Sequence, residues 1–271
     1  MNSEPLFAFD RQYLDYWHAR VEHASDGTRV PGLEVAASLV ERLGIRQGER
    51  VLDVGCGFGR LLPVLAPLTD CVMGLDVAYD VIDEAARRGY RCVVRGGAED
   101  SNLPSDFFAH LVLFGVFDCC DQSRALVETR RLLTAGGTAL ITGKNVDYED
   151  DDRLALLAER NAWRKNFPNS FTCASRMAEF LPAYGLELVE LLRFARRGDF
   201  GELRVLPSTA AATTPFYEYA AIVRAVDQSG SPAADMVSSR TSRTAERVAN
   251  DRGFTSVEEL FRSTYLDAPV A

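Results

Sequence analysis

The sequence predicts an α/β fold, a mainly parallel sheet with helices on both faces. Three observations lead there. Short apolar runs alternate with helical segments from residue 50 to residue 142, the pattern of consecutive βαβ units. The runs are almost continuously apolar, as strands are when helices cover both faces of their sheet. The composition, 47% hydrophobic and 25% charged over 271 residues, is that of a globular protein and excludes a disordered or collagen-like chain.

Residues 9–24 and 33–44 read as helices. In the second, Leu33, Val35, Leu39, Val40 and Leu43 recur at helical spacing and Gly44 ends the segment. Strands are predicted at Arg50–Val54, Cys71–Asp76 and Arg91–Val94, within Phe107–Phe117, and at Thr138–Thr142. Phe58–Leu65, Tyr79–Arg88 and Gln122–Leu133 are the helices between them. After Gly143 the rhythm breaks. The acidic stretch Tyr148–Asp152 opens a helix that ends in Arg164 and Lys165, a charge order that suits the helix dipole, and Pro168 stops it. A helix over Ser175–Tyr184 follows, then strands at Leu186–Phe194 and Phe216–Val223 around a long loop, 195–215. Residues 227–236 read as a linker. In the polar tail, Thr255 and Glu258 form a capping-box pattern before Leu260 and Phe261. The organisation is a helical cap over 1–48, a core over 49–225 with inserts at 143–185 and 195–215, and a tail over 226–271.

The formal net charge of -9 repels phosphate backbones, so no nucleic-acid partner is expected. No apolar stretch approaches the roughly 18 residues a membrane span requires, and the N-terminus lacks a basic segment followed by an apolar one, the mark of a signal peptide. Six cysteines occur with no C-x-x-C, which fits buried thiols in a cytoplasmic protein.

The segment Val51-Leu52-Asp53-Val54-Gly55-Cys56-Gly57-Phe58-Gly59-Arg60 is a strand, a glycine turn and a helix start. Glycines let the chain turn tightly and let a ligand approach the main chain. The G-x-G-x-G spacing differs from the dinucleotide pattern G-x-G-x-x-G. Asp53, two positions before the first glycine, suits a ligand with an ammonium group better than a pyrophosphate. Asp76 ends the second strand, where an acid accepts hydrogen bonds from ribose hydroxyls. The joint pattern resembles the class I S-adenosylmethionine-dependent methyltransferases, over roughly residues 35–225.

The resemblance implies a doubly wound, Rossmann-like seven-stranded sheet with its last strand antiparallel, and S-adenosylmethionine as cofactor, with S-adenosylhomocysteine as product. Asp53, Gly55, Cys56, Gly57 and Gly59 would hold the methionine end. Asp76 would hold the ribose, with Val77 beside the adenine. Ala98 and Glu99 occupy the loop after the third strand; relatives often carry Asp before that Ala, and here the position is Gly97. Phe117 follows the fourth strand, where many relatives have Leu-His-His, so no histidine base is carried over. A helical N-terminal lid would bring Tyr13, Tyr16 and Trp17 over the cofactor, Arg20 to its carboxylate and His18 near the reacting groups.

Asp118 is the candidate polar group at the methyl, with a helix N-cap as its other reading. Lys144 and Asn145 follow the fifth strand and are candidate acceptor contacts. The acidic run Glu149–Asp152 reads as a solvated helix start and no metal is expected; Arg193, Arg196, Arg197 and Arg204 read as a solvated loop. The resulting expectation is methyl transfer to a hydroxyl of a small molecule, a sugar or secondary metabolite. Alternatives are N-methylation of an amino sugar or amine, and a non-catalytic cofactor-binding protein. The tail is open between an oligomer contact, a pocket lid and a loose extension.

Overall fold

Val51–Val54, four consecutive buried residues, form β1, and a strand buried throughout belongs inside a sheet. β2 (Val72–Asp76) pairs with it in parallel, and β3 (Cys92–Arg95) pairs in parallel with β2. On the other side β4 (Phe108–Leu113) joins β1 and β5 (Leu133–Asn145) joins β4, both in parallel. A two-residue strand, β6 (Phe171–Thr172), runs parallel to the end of β5. β7 (Leu186–Phe194) lies against β8 (Glu218–Ala225), which runs antiparallel to both β5 and β7. Finally β9 (Ser238–Ser239) pairs antiparallel with β6. The seven-stranded Rossmann-like core is therefore β3-β2-β1-β4-β5-β8-β7 with the antiparallel strand predicted, and β6 and β9 extend it to nine strands. The structure, a computed structural model, describes residues 32–164, 169–227 and 237–263. The expected helix 9–24, with Tyr13, Tyr16, Trp17, His18 and Arg20, lies outside them.

Strand side chains alternate between faces, and the two faces bury separate apolar layers. Leu52, Leu111, Ile141 and Val223 pack under the helix Gln122–Leu132 and the segment around Met177 and Phe180. Val51, Val112, Leu140 and Ile222 pack under the helix Leu33–Val40 and the helix Leu62–Leu65. The carboxyl ends of β1, β2, β4 and β5 lie side by side at one edge of the sheet, which is where open α/β sheets bind ligands.

Three elements depart from the sequence pattern for local reasons. The helix expected from Phe58 begins only at Leu62; Gly59 sits at φ 82, a left-handed conformation a helix cannot pass through. Ser175–Tyr184 breaks into the helix Met177–Phe180 flanked by 3-10 turns, the second of them, Leu181–Tyr184, carrying Pro182 at its start. The tail's capping box falls one residue later than predicted. Ser256 Oγ accepts from Glu259 N–H, and the Glu259 carboxylate accepts from the Thr255 N–H and hydroxyl.

The tail is docked rather than loose. Helices Arg243–Asp251 and Val257–Ser263 lie beside the helix Arg153–Arg164. Ser242 caps the first of them through Ala245 N–H and also donates from Oγ to the buried Glu159 carboxylate at 2.6 Å. Tyr148 donates to the same Glu159 oxygen at 2.7 Å, while the Ser242 N–H donates to the other. Arg247 adds ion pairs to Asp147 and Asp150. Removing a cap that also satisfies a buried carboxylate costs about 1–3 kcal/mol. Ser242→Ala is therefore expected to lower unfolding free energy in urea by that amount, and an unchanged midpoint would show that the tail docks without this contact.

Candidate functional site

At the carboxyl end of β1 the chain makes three left-handed turns at glycine: Gly55 at φ 69, Gly57 at φ 51 and Gly59 at φ 82. Two of them have a second reason to be glycine. A Cβ on Gly55 would collide with Val116 Cγ2, and one on Gly59 would stand 2.9 Å from the Tyr90 ring. Gly57 differs, because a Cβ there would meet nothing within 4 Å. The loop thus presents bare main chain to open space at its apex. Its donors, however, are already engaged. The N–H groups of Gly55 and Cys56 donate to Leu75 C=O at 2.7 and 3.0 Å, and Gly59 N–H donates to Cys56 C=O. Gly57 N–H donates to Asp76 Oδ2 at 2.8 Å. The loop is shaped for close approach, not for donating a ring of N–H bonds.

Asp76 ends β2 and is fixed from two sides. Its second oxygen accepts from Ala78 N–H at 2.9 Å. Each carboxylate oxygen has two lone pairs, so acceptor capacity remains on both. Burial raises its pKa above the ordinary carboxylate range, against the pull of these N–H donors. Val77 packs near Gly97, and a Cβ on Gly97 would also stand 3.0 Å from Glu99 Oε2. The other Glu99 oxygen accepts from Asp121 N–H. Ala98 is partly buried against the core beneath this loop.

Asp53 is 1% exposed. Tyr90, in the turn before β3, donates its hydroxyl to Asp53 Oδ2 at 2.5 Å. Burial pushes the Asp53 carboxyl up to about 7, opposed by the Tyr90 hydrogen bond and reinforced by the neighbouring Asp76 charge. Tyr90 was not visible in the sequence as a site residue, since nothing local links it to a residue 37 positions away.

Beyond β4 and β5 lies a second charged group. Lys144 Nζ pairs with Asp118 Oδ2 at 2.6 Å and donates to Asn169 Oδ1 at 3.0 Å. Burial opposes the ammonium, but Asp118 and its neighbours outweigh it and raise the Lys144 pKa. Lys144 faces Glu218 across the β5–β8 ladder. Burial raises the Glu218 pKa, against Arg197 and Lys144. Asp118 does not cap the helix Gln122–Leu132; Asp121 does.

Three candidates are buried. Asn145 does not face the crevice: its amide donates to Asp147 and Phe216 carbonyls and accepts from Ala174 N–H, and it is 1% exposed. Phe117 is buried in the core. The Cys56 thiol is packed against Gly74 and its pKa is raised by burial, so only its backbone serves the loop. His110 is held between Thr138 and Glu49 at the opposite end of β4. In the acidic run Asp150 pairs with Arg247 and Asp151 with Arg196, and no group of potential metal ligands forms among the described residues. Arg193 is spent on the carbonyls of Ala210 and Ala211, and Arg204 on Glu202. The Cys119 and Cys120 thiols are pushed up by burial, which disfavours redox chemistry.

Residues 52–141 match a family described as a methyltransferase domain. An uncharacterised protein of Methanocaldococcus jannaschii is 31% identical over 103 residues, 38% of this chain and 39% of that one. An uncharacterised methyltransferase of Schizosaccharomyces pombe is 31% identical over 97 residues, 35% and 36% of the two chains. The matched stretch thus spans under two fifths of these relatives. Among solved structures, a Haloferax volcanii protein in complex with the Trm112 methyltransferase activator aligns with TM-score 0.57 and 19% identity over 80% of this chain and 97% of that one. A SAM-dependent methyltransferase from Aquifex aeolicus aligns with TM-score 0.51 and 15% identity over 77% and 98%. The cyclase SpnF aligns with TM-score 0.52 and 19% identity over 75% and 85%. These structures share the fold.

A buried carboxyl with a folded pKa near 7 and an unfolded pKa of about 3.9 binds more protons folded than unfolded between those values. Its ionisation therefore removes stability as pH rises from about 4 to about 7, with no further loss above. Asp53→Asn keeps an acceptor for Tyr90 and escapes this penalty. Its melting temperature should match that of the wild type at pH 4 and exceed it at pH 8. A parallel pair of melting curves across that range would remove the buried charge as the cause.

Proposed function

We propose that this chain, which carries a class I S-adenosylmethionine-dependent methyltransferase domain with S-adenosylmethionine as its cofactor, methylates a hydroxyl of a small-molecule acceptor. The observation that carries this reading is the Asp76 carboxylate, which joins the glycine loop to the end of β2 through Gly57 N–H at 2.8 Å and Ala78 N–H at 2.9 Å. It keeps lone pairs for a ribose beside a main chain left bare at Gly57. The residues present fit the cofactor. Asp53 would offer a carboxylate to its ammonium group, Asp76 would accept from the ribose hydroxyls, Val77 and Ala98 would flank the adenine, and Glu99 would accept from its amine.

When bound, the cofactor supplies a methyl group on a sulfonium, a leaving group that needs no further activation. Positioning then does most of the catalytic work. Asp118 takes the proton released by the acceptor hydroxyl on Oδ1, because Oδ2 is occupied by Lys144. Lys144 holds that carboxylate in place and is itself held by Asn169. The nitrogen of an amine is the second reading. It is favoured by the two carboxylates, Asp118 and Glu218, on either side of Lys144.

Calorimetric titration with S-adenosylhomocysteine tests the cofactor, with NAD as control ligand. Saturable binding of the first alone is expected. Losing charge-assisted hydrogen bonds worth about 1.5–3 kcal/mol weakens affinity roughly 10- to 100-fold, so Asp76→Ala should show that loss with its circular dichroism spectrum retained. Binding of NAD, or unchanged affinity in the variant, would overturn the assignment.

A further inference from the structure

A cavity of about 830 Å³ lies between the helix Arg153–Arg164 and the two tail helices, with Glu159, Trp163, Asn169, Glu246, Asn250 and Glu258 in its lining. We propose that this cavity is the acceptor chamber of the methyltransferase proposed above, on which this inference rests, and that it takes a hydroxylated ring bearing a basic nitrogen, the chemistry of an amino sugar.

Position comes first. Asn169 lines the cavity and also accepts from Lys144 Nζ at 3.0 Å, and Lys144 pairs with Asp118 at 2.6 Å. The cavity therefore reaches the carboxyl ends of β4 and β5 through a single side chain. Glu159 lines it as well and feels the Lys144 charge. The volume is that of a small-molecule site, whose usual range is roughly 300–1,000 Å³.

Charge and shape then select the ligand. Three carboxylates, Glu159, Glu246 and Glu258, face one guanidinium, Arg240. Glu159 is bound to Tyr148 and Ser242, and Glu258 pairs with Arg262. Glu246 is exposed and makes no ion pair among the described residues. A carboxylate in that position is stabilised by a cationic group of the ligand, and a ligand anion would be repelled. The Trp163 ring is 41% exposed and is braced by Phe261 and Arg262, each 6.0 Å from its centroid. A flat aromatic wall of this kind stacks against the C–H face of a sugar ring and attracts a cation. Asn250, Thr255 and Ser256 supply neutral polar groups for hydroxyls.

The test is calorimetry on the full chain at pH 7, with glucosamine and N-acetylglucosamine as probes, titrated into protein saturated with S-adenosylhomocysteine. Acetylation removes the charge and leaves the ring. Glucosamine is expected to bind about two- to fivefold more tightly, the contrast expected of one exposed charge pair. Glu246→Gln should erase the contrast, and Trp163→Ala should weaken both sugars, while the affinity for S-adenosylhomocysteine stays unchanged in both variants. Equal affinities, no glucosamine binding, or a contrast that survives Glu246→Gln would overturn the chamber and leave the cofactor reading intact. Failure of S-adenosylhomocysteine itself to bind would overturn the cofactor reading and the chamber with it.

Discussion

The end of β2 holds the site together. Leu75 C=O accepts from two successive N–H groups of the glycine loop, and Asp76 accepts from a third. These bonds hold a run of left-handed glycines in one conformation, although glycine by itself populates many. They also fix where the loop stands relative to the crevice, because β2 is locked in register with β1 from Val51 against Val72 to Val54 against Leu75. Val116 and Tyr90 then close on the loop from the two sides where a side chain would not fit. Without that anchor the bare main chain at Gly57 would be a flexible turn rather than a shaped surface.

The same end of the sheet concentrates negative charge. Asp53, Asp76, Asp118 and Glu218 all gather at or near the strand ends, and burial raises the pKa of Asp53, Asp76 and Glu218. Lys144 neutralises one of the four directly. Tyr90 stabilises another only by donating a hydrogen bond. Gathered there, the four carry more negative charge than Lys144 offsets, an arrangement complementary to a cationic ligand. Part of the folding free energy is lost to keep these carboxylates out of water, as is common where a site must be preorganised.

The tail changes what the fold can hold. A core of seven strands would leave the helix Arg153–Arg164 with an open flank. β9 pairs with β6 at the sheet edge, and Ser242, Thr244 and Arg247 tie the following helix to Tyr148, Glu159 and Asp147. The flank becomes a cavity open to solvent, with Asn169 in its lining. The polar side chains of the tail, whose role the sequence leaves open, are spent on hydrogen bonds to Asp147, Tyr148, Asp150 and Glu159.

Much of the site was legible in one dimension, and the reason is local. Strand, glycine turn and strand-end acid are set by backbone geometry, and backbone geometry leaves its mark in glycine spacing and apolar runs. Asp53, Gly55, Gly57, Gly59 and Asp76 stand where such marks indicate. The next helix starts later than its apolar pattern suggests, because φ at Gly59 is not readable from residue type. Side-chain direction and long-range partners leave no such mark. Lys144 and Asn145 are neighbours on β5, yet one reaches Asp118 and the other is consumed by three backbone groups. Tyr90 finds Asp53, and Asn169 finds Lys144, through contacts that exist only once the sheet has formed. The sequence by itself determined the core strands, the loop and the acid that ends β2, because each depends on residues close in the chain. Only the tertiary structure decided which charges pair, which candidates are buried and where the tail lines a cavity, because those outcomes depend on how distant segments pack.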